Sequence, residues 1–205
     1  MKLNIIERLI TNSPLRAFLQ RHIEGPMLKK MAGKENYPLC LEIGCGRGVG
    51  AEVITRRFGA EKVIATDIDP KQIEQAKKRL CPSLKDNVEF KIADVMALDE
   101  PSERFDAVFS FGVIHHTENW RKAIKEVGRV LKLEGEFFFD ELLAPLLKSL
   151  PIRALTAHPE GGMFTLKELH EALISEGFDI ITLRHIDGII VFGACRKSRR
   201  LHEGN

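Results

Sequence analysis

The segment Leu41-Glu42-Ile43-Gly44-Cys45-Gly46-Arg47-Gly48 constrains this chain more than any other, because an apolar strand runs straight into glycines at every second position. Glycine lets the main chain take positive φ and approach a ligand with no Cβ in the way, and the helix that follows offers free N–H groups. This turn is therefore expected to hold something against bare backbone. Around it the chain alternates between two periodicities. Leu39 to Ile43, Val63 to Thr66, Val88 to Ile92, Ala107 to Ser110 and Glu136 to Phe139 read as strands, whereas Gly50 to Phe58, Pro70 to Leu80 and Trp120 to Leu131 read as helices. Such alternation builds βαβ units and a parallel sheet covered on both faces, with ligands beyond the carboxyl ends of the strands.

The last segment departs from that pattern. Ile180 to Arg184 and Ile189 to Ala194 are strands joined by His185-Ile186-Asp187-Gly188, a hairpin signal that makes an antiparallel pair finish a mostly parallel, seven-stranded sheet. Thr165-Leu166-Lys167-Glu168 opens the preceding helix as a capping box, and Gly177 closes it. At the other end, residues 3–33 carry apolar positions at helical spacing. Ser13-Pro14 starts one short helix, and Gly25-Pro26 is expected to stop one and start the next. The expected organisation is a helical extension or lid over 1–36, a main domain over 37–196 and a basic tail over 197–205.

With 205 residues, 44% hydrophobic and 29% charged, the chain suits one elaborated globular domain and excludes disorder and collagen-like repeats. It has no run of the roughly 18 to 20 apolar residues that a membrane-spanning helix needs, and MKLNIIERLI does not read as a secretory signal. Cys40, Cys45, Cys81 and Cys195 form no CxxC pair, so neither a metal site nor a disulfide framework is expected, and a reducing, cytoplasmic setting is the simplest expectation. The net charge of +2 hides an asymmetry: residues 1–36 hold seven Lys and Arg against three Glu, and residues 196–205 four against one. Solvated tail and helix faces explain this, and so does attraction to a nucleic acid or, through a basic amphipathic N-terminus (Lys2, Arg8, Arg16, Arg21, Lys29, Lys30), to an anionic membrane surface.

Two acidic positions follow the glycine turn at strand ends. Asp67, closing Val63-Ile64-Ala65-Thr66, can accept the hydroxyl protons of a ribose, while Asp69 beside Pro70 reads as a helix cap. Asp94, after Lys91-Ile92-Ala93, can accept from an adenine amino group or merely cap a helix. In this order, Glu42 to Gly48, Asp67, Ala93-Asp94, Phe105-Asp106-Ala107-Val108-Phe109-Ser110, then Val113-Ile114-His115-His116 and Arg129-Val130-Leu131-Lys132 resemble the class I S-adenosylmethionine-dependent methyltransferases. The similarity runs from about Leu39 to Arg196 and points to the small-molecule, ubiquinone/menaquinone-type branch, whose pattern has Gly-Gly where this chain has Glu134-Gly135.

The resemblance implies a Rossmann-like three-layer α/β sandwich and a specific set of roles. Glu42, Gly44, Cys45, Gly46 and Gly48 would cradle the methionine part of S-adenosylmethionine. Asp67 and Ile68 would hold ribose and adenine, Asp94 and Val95 would face the adenine, and Ser110 and Phe111 would flank the sulfonium, with S-adenosylhomocysteine as product. Two other readings remain open at this point. Gly46-Arg47-Gly48-Val49-Gly50-Ala51 also fits a nicotinamide-binding GxGxxG/A turn, and a non-catalytic nucleoside-binding module would keep the same glycines and Asp67.

If the acceptor loses a proton, His116 is the first candidate base and His115 the second, with Asp140 or Glu141, at the end of the fifth strand, able to orient substrate, act as base or merely cap the structure. A purely structural hydrogen bond is the competing explanation for the histidine pair. The apolar insertion Leu142 to Gly162, including Pro151-Ile152, is expected to wall an acceptor site for a small, apolar or lipid-like molecule, although core packing explains its leucines equally well. Nucleic acid is not the expected partner. The segment after strand four lacks an Asn/Asp-Pro-Pro-aromatic sequence, and aromatics are only 7% of the chain, too few for a base-stacking platform. The oligomeric state is left open.

Overall fold

The computed structural model describes residues 5–149 and 159–198. Seven strands form one sheet: β1 (Leu39–Ile43), β2 (Lys62–Asp67), β3 (Val88–Ile92), β4 (Phe105–Phe111), β5 (Leu131–Leu142), β6 (Phe178–Ile186) and β7 (Ile190–Lys197), in the order 3-2-1-4-5-7-6. The first five are parallel, and β7 slots antiparallel between β5 and β6. The hairpin is longer and tighter than its residues suggested: Ile186 pairs with Ile190, leaving Asp187-Gly188-Ile189 as the loop, with Gly188 at φ 70°.

Strand period two divides the apolar residues between the two faces. Cys40, Val63, Ala65, Phe109 and Phe138 pack on the side that carries helices α3 (Gly25–Met31), α4 (Val49–Arg57) and α5 (Pro70–Arg79). Leu41, Ile43, Val108, Phe137 and Phe139 pack on the side of α6 (Trp120–Val130) and of the last helix, Leu166–Ser175. The result is the expected three-layer α/β sandwich. The caps follow the sequence signals: Ser13 accepts from the Arg16 N–H, Asp69 from Lys71, Asn119 from Lys122, and Thr165 and Glu168 close a reciprocal capping box.

The N-terminal residues depart from expectation at one point. Gly25-Pro26 does not break the chain into separate helices. Helix α2 (Pro14–Leu19) runs through a π-helical turn, Gln20–Glu24, directly into α3, with Gly25 itself helical at φ −57°. Glycine is needed there for contact, because a Cβ would lie 2.4 Å from the Val53 side chain of α4. The segment also packs on the main domain. Leu28, Met31 and Tyr37 join the core, and Glu136, fully buried on β5, accepts from the Tyr37 hydroxyl, the Gly33 N–H at 3.0 Å and Arg196 at 2.8 Å. That carboxylate ties the linker before β1 to the middle of the sheet.

The insertion after β5 is also placed differently. Leu143, Ala144 and Leu147, in the short helix α7 (Ala144–Leu147) and just before it, are buried, and the segment is pinned by Ala144 N–H to Phe164 O and Leu146 N–H to Gly188 O, both 2.8 Å. These residues complete the core beneath the hairpin and line no part of the main cavity. Pro151-Ile152, like Lys2 and the tail beyond Ser198, lies outside the described residues. Glu134, which stands where the resembling branch has glycine, takes φ 61°, a left-handed conformation that costs a non-glycine residue about 1 kcal/mol.

Candidate active site

A cavity of about 390 Å³ opens at the carboxyl ends of β1, β2, β3 and β4, the crevice this topology reserves for ligands. Its floor is the turn after β1. Gly44 and Gly46 both have positive φ, 61° and 50°. A Cβ on Gly44 would strike Val113 at 2.4 Å, whereas one on Gly46 would meet no protein atom within 4 Å and would project into open space. The first glycine thus packs the turn against the β4 segment, and the second leaves its backbone bare to the cavity.

One end of the cavity is acidic and apolar. The Asp67 carboxylate accepts the Gly46 N–H at 2.9 Å and the Asp69 N–H at 2.8 Å, locking the glycine turn to the start of α5. Burial raises its pKa, and the two N–H donors hold that rise in check. Asp94 accepts the Met96 N–H at 2.8 Å in a local turn rather than capping a helix, and with Ile68, Val95 and Met96 it faces the same space. Two carboxylates flanking aliphatic side chains beside bare backbone fit an adenosine, with hydroxyl and amino donors for the acids and a flat face for the aliphatics.

The other end is formed by Phe111, Gly112, Val113, His116 and Thr117, and across from them by the N-terminal helices. A lid from these helices is what the sequence suggests, but not which of their residues line it. Ser13, Arg16, Ala17, Gln20 and Arg21 line it, and no local motif announces them except the Ser13-Pro14 start that sets the helix phase. The Arg16 guanidinium bonds Glu24 and the Phe111 carbonyl at 3.3 Å and lies 3.9 Å from Asp140 Oδ1. Arg8 pairs with Asp69 at 2.8 Å, Arg21 with Glu52 at 2.8 Å, and Arg47 donates to the Asn12 carbonyl at 2.6 Å. Arg8, Arg16 and Arg21, expected on a solvated or membrane-facing surface, each bond inward and so help strap α1 (Ile5–Thr11) and α2 over the glycine turn, while Arg8 and Arg21 keep about a third of their side chains exposed.

Several predicted site residues lie behind the wall rather than in it. Ser110 is fully buried and donates its hydroxyl to Glu141 at 2.6 Å, because alternate residues of β4 face opposite ways and Phe111 takes the cavity side. His115 is buried too, with Nδ1 2.6 Å from Glu141 Oε2, while its neighbour His116 reaches the cavity. The 3₁₀ turn Ile114–His116 separates the two rings, whose centroids are 4.3 Å apart. Gly48 starts α4 against Phe90 and Ala76, one layer below the ligand space. Asp140 is buried behind Arg16 and Gly112; one oxygen lacks a hydrogen-bond partner among the described residues, and burial pushes the carboxyl well above its usual range.

Glu42 also lies under the turn. It is buried, Oε2 has no hydrogen-bond partner among the described residues, and burial, then the charge of Asp67, drive its pKa well up. A carboxylate whose folded pKa is raised destabilises the fold above that pKa and ceases to do so as pH falls toward the unfolded value. Glu42→Gln should therefore stabilise the ligand-free protein at pH 8 by about 1–2 kcal/mol, at about 2–4 °C in Tm per kcal/mol, and the gain should vanish near pH 4. Denaturant titrations of both chains across that pH range check it.

Fold and site together define a Rossmann-like α/β domain with a ligand crevice beyond its strand ends, and its resemblances lie among methyltransferases. In family terms, residues 41–139 match the family described as "Methyltransferase domain". Among similar proteins, a malonyl-[acyl-carrier protein] O-methyltransferase of a Paenibacillus species is 29% identical over 132 residues, 61% of this chain and 48% of the relative. The 27-O-demethylrifamycin SV methyltransferase of Amycolatopsis mediterranei is 36% identical over 109 residues, 51% of this chain and 39% of the relative. The chain thus spans half or less of the length of these curated relatives. A SAM-dependent methyltransferase structure from Aquifex aeolicus shares the fold at TM-score 0.74 and 17% identity, covering 96% of this chain and all (100%) of that one. Nothing in these likenesses supports a nicotinamide-binding or non-catalytic reading. Among the described residues, no helix is long and apolar enough to cross a membrane.

Proposed function

We propose that this chain transfers the sulfonium methyl of S-adenosylmethionine to an O, N or C nucleophile of a small, apolar or lipid-like acceptor. The observation that carries this reading is the two-ended cavity, with Asp67, Ile68, Asp94 and Val95 at one end and Phe111, Gly112 and His116 at the other. When bound, S-adenosylmethionine supplies a methyl group that is already activated by its positive sulfur. The protein's task is then to position, desolvate and, for a protic acceptor, remove a proton.

In this reading Gly44, Cys45 and Gly46 receive the amino-acid part of the donor, with Glu42 and Gly48 shaping the turn from beneath. Arg16, charge-balanced by Glu24 and Asp140, provides a cation for a carboxylate in the same space. His116 is the residue placed to take a proton from the acceptor. His115, held by Glu141, positions the turn that carries His116, and Asp140 sets the charge around Arg16. Residues 1–36 act as a lid over the 37–196 domain, and peripheral contact with a membrane surface would bring an apolar acceptor to that lid.

Calorimetric titration with S-adenosylhomocysteine, S-adenosylmethionine and NAD(H) tests the donor assignment. Binding of the first two and not the third is expected, and binding of NAD(H) alone would overturn it. With an accepted substrate, His116→Asn should lower kcat about 100-fold or more if proton removal limits turnover. His115→Asn should instead act through the shape of the turn, altering KM and thermal stability together. Full turnover in both variants would remove the histidines from the mechanism.

A further inference from the structure

We infer that the outer face of α1, α2 and the π-helical turn is a docking surface for an anionic lipid bilayer, an inference that rests on the proposed apolar acceptor. Helix α2 is inverted relative to an ordinary surface helix. Its polar positions, Ser13, Arg16 and Gln20, face the cavity wall, while Leu15 and Phe18 point away from the protein. Leu9 and Ile10 on α1 and Ile23 on the π-helical turn are exposed as well, and all five side chains are between 45% and 69% exposed. One exposed leucine means nothing, but five large apolar side chains within fifteen residues form a patch of the kind that marks an interaction site.

The charge around the patch selects the partner. Between Arg8 and Lys34 the chain has six Lys and Arg and a single acid, Glu24, which is buried. Two ion pairs next to the patch put the cation outside and the carboxylate inside: Arg8 and Arg21 are 32% and 37% exposed, against 9% and 11% for Asp69 and Glu52. Exposed Arg57, bonded to the Arg21 carbonyl, adds to the same rim. Aliphatic groups ringed by partly exposed cations match an anionic bilayer, into which the side chains insert while arginines meet headgroups; the exposed carboxylate of Glu35, 3.8 Å from Lys29, lies beyond the end of α3. A nucleic-acid strand would instead call for stacking rings, and Phe18 and His22 are the only ones here. Because the opposite face of α2 walls the cavity, a docked bilayer lies about one helix diameter, roughly 10 Å, from the site, so an apolar acceptor reaches it without crossing bulk water.

Co-flotation of the full chain with vesicles of phosphatidylglycerol and phosphatidylcholine, and with phosphatidylcholine alone, tests this. Binding to the anionic vesicles, weakened by added salt, is expected, with about tenfold or greater loss in a Leu15→Glu/Phe18→Glu chain and a smaller loss in Leu15→Ser/Phe18→Ser. S-adenosylhomocysteine affinity and the thermal midpoint should stay at wild-type values in both, since neither side chain lines the cavity. Absence of flotation, equal flotation of wild type and both variants, salt-sensitive RNA binding in its place, or a dimer that the variants dissolve would each overturn the inference. Failure of S-adenosylhomocysteine binding with flotation intact would strike the methyl-transfer reading and leave the docking surface standing.

Discussion

A Glu141→Ala chain is expected to lose about 3–5 kcal/mol of stability, a large part of what holds a domain of this size together. Glu141 is fully buried and serves as acceptor for the Ser110 hydroxyl at 2.6 Å, the His115 ring at 2.6 Å, and the N–H groups of Val113, Ile114 and His115 at 3.2, 3.1 and 3.3 Å. Removing it leaves several buried donors without an acceptor, and each orphan costs about 1–3 kcal/mol before the structure relaxes. Glu141→Gln should not rescue, because its amide brings two more donors to a site that already holds only donors. Burial alone would raise this carboxyl, but the His115 and Ser110 contacts and the backbone donors hold it below the usual glutamate range. Its contribution is therefore complete above the ordinary glutamate pKa and is lost as pH falls through the depressed value. Denaturant titrations should show the gap between wild type and Glu141→Ala narrowing in acid, as the gap for Glu42→Gln also does, but with wild type the more stable chain in the first comparison and the less stable one in the second. A gap independent of pH would mean that packing, not the charge, is what Glu141 supplies.

The largest expected effect on binding belongs to Asp67. Its two oxygens hold the Gly46 and Asp69 N–H groups while the carboxylate lines the cavity, so one side chain both shapes the turn and faces the ligand. Asp67→Ala should weaken S-adenosylhomocysteine about 100-fold or more, since it removes a charged acceptor and frees two backbone donors at once. Asp67→Asn keeps the shape and one acceptor and should fall between the two. Asp94→Ala, which frees a single local turn bond, should cost about tenfold. Calorimetry on the three variants orders them, and an Asp94 effect larger than that of Asp67 would reverse the assignment of the two carboxylates.

The legible part of this protein is local. Ser13, Asp69 and Thr165 announce helix starts because a cap is a bond between residues two or three apart. The apolar runs announce strands because period two sorts neighbours onto faces, and the hairpin announces itself by Asp187-Gly188. Gly44 and Gly46 announce a ligand turn because their φ angles belong to the backbone alone. Gly25-Pro26 misled for a related reason. A helix-breaking pair is a local signal, and close packing on Val53 of α4, together with the π-helical turn before it, overrode that preference.

What the sequence could not decide is which of two neighbours faces the ligand. Ser110 and Phe111, His115 and His116, and Asp140 and Glu141 are adjacent pairs of similar promise, yet Ser110, His115 and Glu141 bind one another inside the protein, while Phe111 and His116 reach the cavity. That division depends on β5 lying beside β4 in register, Ser110 against Phe139 and Phe111 against Asp140, a pairing across about thirty residues of chain. The wall made by Arg16 and Gln20 depends on contacts longer still, from the N-terminal helix to the carbonyl of Phe111. Turns, caps and periodicity are set by interactions that each residue makes with its near neighbours, and these the sequence determined by itself. The facing of the site and the lid over it are set by partners far along the chain, brought together only by the order of the strands, and these the tertiary structure decided.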